Sequence, residues 1–346
     1  MAGYDVHIVG SVPLDDAAEV FETVGAALGP RLPRIPDGET GDRLDWIRWL
    51  VPLYANNPAF APADEEYRVH SAAKPMPRFR LKPGAAARDV RFDLPYAEVA
   101  AASYEAFKRA RAAGKLAARC RFQVDLVPAH TMVTAFLREE DQAAVEPAYH
   151  AALLREIDRV AARIPHHDLA IQFDVASAVF NRLERGQPTR YGKTKEEMIG
   201  TFATEMIGLG DRVPKDVDLV YHCCYGDNNH RHSIEPTDTG DMVAFANRVS
   251  AGIGRPIQLF HMPVPRSRID DAYFAPLKGL ELRPETRLSL GLVHHTDGVA
   301  GTRRRIATAE KYVAGFMIAT ECGFGRRDPK TIPELLRIHA EVAGVG

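Results

Sequence analysis

Eight short apolar runs recur along the 346-residue chain, and the segments between them are long enough to be helices. The runs are "DVHIVGS" (5–11), "RLPRIPDGE" (31–39), "RCRFQVDL" (119–126), "LAIQFDV" (169–175), "VDLVYHCC" (217–224), "PIQLFHM" (256–262), "RLSLGLVHH" (287–295) and "FMIATEC" (316–322). Most hold four to eight residues of nearly unbroken apolar character, the pattern of parallel strands covered on both faces. Between them, "YAEVAAASYEAFKRARAAGK" and "PAYHAALLREIDRVAARI" space their apolar residues by three and four, as an amphipathic helix requires. "KTKEEMIGTFATEMIGLG" stops on glycine, an ordinary helix end. Eight such units predict an α/β chain folded as a (β/α)₈ TIM barrel. The second run, with two prolines, is the weakest of the eight. A doubly wound open sheet is the alternative, but "GSVPLDD" after the first run has one glycine and then a proline, not a dinucleotide fingerprint.

Residues 44–95 are rich in proline, arginine and aromatics and have little periodicity. They read as a long insertion after the second strand, either a lid or a contact between copies in a homo-oligomer. With no internal repeat, residues 1–346 are expected to form one barrel domain carrying that insertion. The balance of 44 basic and 46 acidic residues argues against a nucleic-acid partner. No apolar stretch is long enough to span a membrane, and "MAGYDVHIVGS" lacks the charged start of a signal peptide. Four cysteines are too few for a disulfide framework in a chain of this length, so reduced thiols and a cytoplasmic location are expected.

The proposed strands end on polar residues: Ser11, Asp37 and Glu39, Asp125, Asp174, His222 and Cys224, His261, His294 and His295, and Cys322. In a barrel these ends converge on one mouth, where active sites of the fold lie. Any one of them alone would be an ordinary turn former or cap. Eight together, with metal-type residues on the last four, point to a site. His222 and Cys224 are two apart and share one face of a strand, whereas Cys223 turns to the other face, as a small buried hydrophobe. His-x-Cys supplies two ligands to a zinc ion, and Cys322 is a natural third.

At this point the motifs "HIVGS", "PDGETGDRLDW", "IQFDVAS", "YHCCYGD" and "ATECGFGRR" resemble, in order and rough spacing, those of the cobalamin-independent methionine synthase family. The likeness is to its C-terminal catalytic zinc barrel and spreads over most of the chain. In that family zinc is held by the His and Cys of His-x-Cys, by a Glu ending the next strand and by the Cys of the late "CG". The resemblance carries these roles to His222, Cys224 and Cys322. Where the family has Glu this chain has His261; as the fourth ligand it would make the site His₂Cys₂ and formally neutral instead of negative, the other reading being that it lines the pocket while water or another residue completes the shell. It further implies that Ser11, Glu39 and Asp174 bind substrate, the two carboxylates also serving acid–base work. "LVHHTDG" would give His295 a role in proton transfer, with Asp297 orienting it. Arg266 or Arg268 in "HMPVPRSRIDD" suits a substrate carboxylate, and surface ion pairing is the other reading.

The activity implied is zinc-dependent methyl or alkyl transfer, in either direction, with a thiol substrate activated as a zinc-bound thiolate. The partners are small molecules, the thiol and an alkyl donor, and a folate-type methyl donor or acceptor belongs to the family pattern. A different class of chemistry fits the same residues: a zinc lyase or hydrolase that keeps a water on the metal and uses Asp174 or Glu39 as base. A structural zinc site, or a metal-free barrel like the related uroporphyrinogen decarboxylases, are the remaining alternatives. His230 and His232 read as rim residues.

Overall fold

The computed structural model describes residues 3–68, 75–228 and 231–345. Among them the strands in chain order are β1 (Arg34–Pro36), β2 (Phe60–Tyr67), β3 (Met76–Leu81), β4 (Arg121–Leu126), β5 (Leu169–Val175) and β6 (Asp218–Cys223). They continue with β7 (Asp227–Asn228), β8 (Arg231–His232), β9 (Leu259–Pro263), β10 (Arg287–Val293) and β11 (Met317–Thr320). Seven of these form one parallel sheet in the order β1-β4-β5-β6-β9-β10-β11, with helices between successive strands.

The first apolar run lies across the gap between the two edges of that sheet. Val6 bridges Ile318 of β11 in parallel, with His7 N–H donating to the Ile318 carbonyl at 2.9 Å and Ile318 N–H to Asp5 at 3.0 Å. On its other side Val6 N–H donates to the Arg31 carbonyl and Val12 N–H to that of Gly38, at 2.8 and 2.7 Å, flanking β1. The chain is therefore a TIM-barrel-like fold, with seven regular strands and an eighth position held by this sparsely paired segment. β1 has only three residues because Pro33 and Pro36 supply no N–H to a ladder.

Register is set by a row of aromatics on the outer face. Phe173, Tyr221 and Phe260 stand side by side on β5, β6 and β9, with ring centroids 5.9 and 5.2 Å apart. Each is fully buried against the helical layer. Because successive residues of a strand point to opposite faces, the next residue on each strand faces the barrel interior. Those residues are Asp174, His222 and His261, also paired side by side. Below them Val220, Leu259 and Met317 form a small apolar cluster separate from the main core. At the opposite end from the mouth, Arg34 on β1 and Arg121 on β4 both pair with Asp218 on β6, at 3.0 and 3.4 Å.

Part of the 44–95 insertion has structure of its own. A 3₁₀ stretch, Gly41–Leu50, leads into the short helix Val51–Ala55 and then the antiparallel β2–β3 hairpin. Tyr54, Phe60, Phe79 and Phe92 cluster with Phe136 of the helix Ala129–Phe136, so the insertion is anchored on the barrel by aromatic packing. No helix among the described residues is long and apolar enough to cross a membrane.

Phe260→Ala removes the β9 end of the aromatic row, with its contact to Tyr221, and leaves a cavity behind it. Urea unfolding is expected to show a loss of about 3–5 kcal/mol; a loss below about 1 kcal/mol would contradict the register argument.

Candidate metal centre and cavity at the barrel mouth

His222, Cys224 and Cys322 meet where β6 and β11 end. One ligand atom from each lies within 4.8 Å of the others, with His222 and Cys224 buried and Cys322 half-buried. His222 is placed by the register of β6. Cys224 follows one residue past that strand, and its N–H still donates to the Val175 carbonyl at 3.0 Å, so the sheet pattern carries its side chain inward. Cys223 points outward into the main core and is fully buried there, with its thiol pKa raised by burial.

Cys322 is positioned by the glycines after it. Phe324 N–H donates to the Ser11 carbonyl at 2.6 Å and Gly325 N–H to Ser11 Oγ at 3.3 Å. A Cβ on Gly323 or on Gly325 would come within 2.6 Å of Ser11 Oγ. The late "CGFG" thus needs small residues in order to pack against the "GS" that ends the first run.

The donors suit a thiophilic metal ion, and their surroundings do too. Cys224 Sγ and Cys322 Sγ are 3.8 Å apart; Gly226 N–H donates to the first at 3.2 Å, and Arg326 to the second at 3.4 Å. Such donors favour thiolate sulfur. The Cys224 thiol is pushed well up by its hydrogen bond with Cys322 and by burial. His222 is held well below the usual histidine range by burial and by His261, so it is neutral, as a ligand must be.

His261 stands outside this group. Its Nδ1 is 2.7 Å from His222 Nδ1, and its Nε2 is 3.0 Å from the Thr320 carbonyl. Both ring nitrogens are committed, so the arrangement departs from the His₂Cys₂ set expected from the sequence. Burial lowers its pKa to about 3.

The same residues line a cavity of about 320 Å³ whose other end is acidic. Glu39 and Asp174 line it, and Asp125 lies beside them: a Cβ on Gly10 would be 3.1 Å from Asp125 and 3.6 Å from Glu39. Burial and the Asp174 charge push Glu39 up to about 8, against the pull of Arg43. Burial pushes Asp174 up to about 7, opposed by hydrogen bonds from Gln172 and Trp46. Asp125 is raised well above the carboxylate range by burial, Asp174 and Glu39. Arg43 makes its ion pair with Asp37, through both carboxylate oxygens at 3.2 and 2.8 Å, which leaves Glu39 to the cavity.

Other expected site residues lie elsewhere. His295 is half-buried beyond the end of β10, lines no part of this cavity and bears electrostatically on Glu334 of the last helix, Ile332–Ala343. Asp297, its expected orienting partner, pairs with both terminal nitrogens of Arg305 at 2.8 Å. The buried residue at this strand end is His294, whose Nε2 is 2.9 Å from the Val264 carbonyl and whose Nδ1 is 3.2 Å from Glu321. Arg266 is also outside the cavity and donates to Thr296 Oγ1 at 3.2 Å; Arg268 pairs with Asp270. His230 falls outside the described residues, and His232 lies 3.7 Å from Glu235, away from the cavity lining.

Sequence reasoning missed four contributors. Asp45, Trp46, Arg48 and Met76 of the insertion line the cavity; the first two close the motif "PDGETGDRLDW" but carried no assigned role, and nothing around Arg48 and Met76 announces theirs. Trp46 has φ 52° and Glu39 φ 45°, the two described non-glycine residues in the left-handed region. Both border the cavity, as strained backbone at functional sites often does. Arg326 was visible within "ATECGFGRR" but carried no assigned role.

No protein-family model matches this chain, and no curated protein matches it. Among solved structures it is similar to a Listeria monocytogenes protein provisionally named a vitamin-B12-independent methionine synthase, at 14% identity with a TM-score of 0.59. It is also similar to a B12-independent methionine synthase from Shewanella sp. W3-18-1 solved with selenomethionine, at 11% identity with a TM-score of 0.61. In both cases the alignment covers 99% of this chain and 98% of the other. At these identities the likeness establishes a methionine-synthase-like barrel fold.

The raised carboxyls have a consequence for stability. Unfolded, Glu39 ionises near its ordinary value of 4.5; folded, it keeps its proton to about 8. Between those pH values the folded state binds more protons, so stability falls as pH rises and levels off above both. In metal-free protein Glu39→Gln is expected to flatten that decline, gaining about 1 kcal/mol or more over wild type at pH 8.5 relative to pH 5.5. Urea midpoints at the two pH values test this; equal slopes for both proteins would contradict it.

Proposed function

We propose that this methionine-synthase-like barrel is a zinc-dependent methyl- or alkyltransferase that acts on a small thiol. The observation that carries the reading is the His222–Cys224–Cys322 group opening on a cavity with carboxyls at its far end. Three protein ligands of the Cys₂His type, with one position left to a substrate, are the pattern of catalytic zinc, whereas structural sites are closed by four. Zinc held by these three residues would supply a Lewis acid that favours the ionised form of a substrate thiol.

The chain's own residues account for the rest of the chemistry. Gly226 N–H and the Arg326 guanidinium stabilise the two cysteine sulfurs as thiolates. Glu39 and Asp174, with pKa values near neutrality, are suited to take the S–H proton and to hold an amine or other donor group of the substrate. Trp46 and Met76 cover the cavity from the insertion and reduce access of water to the sulfur. The balance is that of a displacement: a sulfur–carbon bond forms, the donor's bond to that carbon breaks, and the leaving group departs with the electron pair. In this reading proton handling belongs to Glu39 and Asp174, which line the cavity, and not to His295, which does not.

A second reading, a zinc lyase or hydrolase, is favoured by those same carboxyls, since a base near neutral pKa could equally deprotonate a water. The two readings separate at the metal. X-ray absorption at the zinc edge is expected to gain a sulfur scatterer at about 2.3 Å when a small aminothiol is added. An unchanged shell with every thiol tried would support the water-activating reading instead.

The neighbouring cysteines give an internal control. Wild type and purified Cys223→Ala are both expected to hold about one zinc per chain, while Cys224→Ala loses most of it. Equal zinc content in the two variants would contradict the assignment.

A further inference from the structure

His261 occupies an unusual position for a buried polar residue, with a partner at each end of its ring. Its Nε2 lies 3.0 Å from the Thr320 carbonyl, which can only accept, so that nitrogen carries the hydrogen. In a neutral ring Nδ1 is then a bare lone pair. The atom 2.7 Å from it is His222 Nδ1, which must therefore be the donor. A neutral His222 with hydrogen on Nδ1 has its lone pair on Nε2. The hydrogen bonds thus run one way along the row, His222 Nδ1–H donating to His261 Nδ1 and His261 Nε2–H donating to the Thr320 carbonyl, with His222 Nε2 left as the free nitrogen.

Two further contacts hold the arrangement. His222 and His261 are paired across β6 and β9, with ring centroids 4.8 Å apart. His7 packs against the other side of His261 at 5.5 Å, and both His7 and His261 are buried to within 1% of complete. Turning His261 towards a metal would require it to give up its contact with His222 or with Thr320.

We propose that His261 is a positioning residue that fixes His222 in the tautomer with Nε2 free for the metal, and that the metal takes three protein ligands and leaves its fourth position open. The inference rests on the zinc reading above and deepens it. It also gives the barrel a device absent from the charge of the ligands themselves. A histidine that donates its other N–H to a hydrogen-bond acceptor is a stronger and better-oriented ligand, and here the acceptor is a second imidazole in place of a carboxylate or carbonyl.

The test uses the full chain with Zn²⁺ as the only added probe. X-ray absorption of the wild-type protein at one equivalent of zinc is expected to show two sulfurs and one imidazole. His261→Leu is expected to keep that ligand set at saturating zinc while its zinc affinity, from chelator competition, falls about 10- to 100-fold. His261→Asn, whose amide oxygen can accept from His222 Nδ1, is expected to recover a large part of the loss. Two imidazoles in wild type, with one lost in His261→Leu, would overturn the proposal by making His261 a ligand. Unchanged affinity in His261→Leu, or no recovery in His261→Asn, would overturn the positioning role. The imidazole count in wild type needs no variant to fold. A wild-type chain that takes up no zinc overturns the parent reading together with this one, whereas zinc bound through two imidazoles overturns this one alone.

Discussion

The site depends on the side-by-side register of β5, β6 and β9. The buried aromatic row Phe173–Tyr221–Phe260 outside the barrel and the polar row Asp174–His222–His261 inside it are consequences of the same pairing. A slip of one residue would put the histidines among the helices and the aromatics in the mouth, at a cost far beyond what a marginally stable fold withstands. The apolar packing on the outer face therefore holds three polar groups at one level, where they face one another and not water. The second constraint is the seam between the first run and β11. It brings Ser11 against the glycines after Cys322, so a ligand from the end of the last strand arrives beside two from the fifth apolar run.

The two ends of the cavity have different electrostatic logic. At the metal end, two sulfurs receive hydrogen bonds from Gly226 and Arg326, and the nearest imidazoles are neutral because burial disfavours their charge. At the acid end, burial raises the pKa of three neighbouring carboxyls, and repulsion from the other carboxylates adds to the rise for Glu39 and Asp125. A ligand that bridges the ends would meet a soft Lewis-acid position and a set of groups able to exchange protons. That combination is the physical content of the alkyl-transfer reading.

The fold was legible in the sequence because a covered parallel strand leaves a continuous apolar run, and seven of the eight runs are strands within a few residues of their expected limits. The first run fits its place but makes only one regular bridge, and the two prolines around β1 shorten that strand. At the site, His222, Cys224 and Cys322 were legible from strand parity and strand ends, and Cys223 from the same parity. His261 sits on the expected inward face, but parity cannot tell a ligand from the group that orients one; that distinction lies in the Thr320 carbonyl and in His222. His294 and His295 show the same limit: the pairing of β10 with β11 is irregular between Leu290 and Val293, so parity could not tell which of the two would be buried, and it is His294. Trp46 and Met76 reach the cavity through tertiary docking of the insertion, which no local pattern encodes.

The central claim is that a metal ion belongs between β6 and the end of β11, held by one nitrogen and two sulfurs. Anomalous diffraction at the zinc edge from crystals grown with zinc tests it most directly. The account expects one strong peak within bonding distance of His222 Nε2, Cys224 Sγ and Cys322 Sγ, at about 2.0–2.3 Å. A cavity with no peak there, or a peak among Glu39, Asp125 and Asp174 instead, would contradict it.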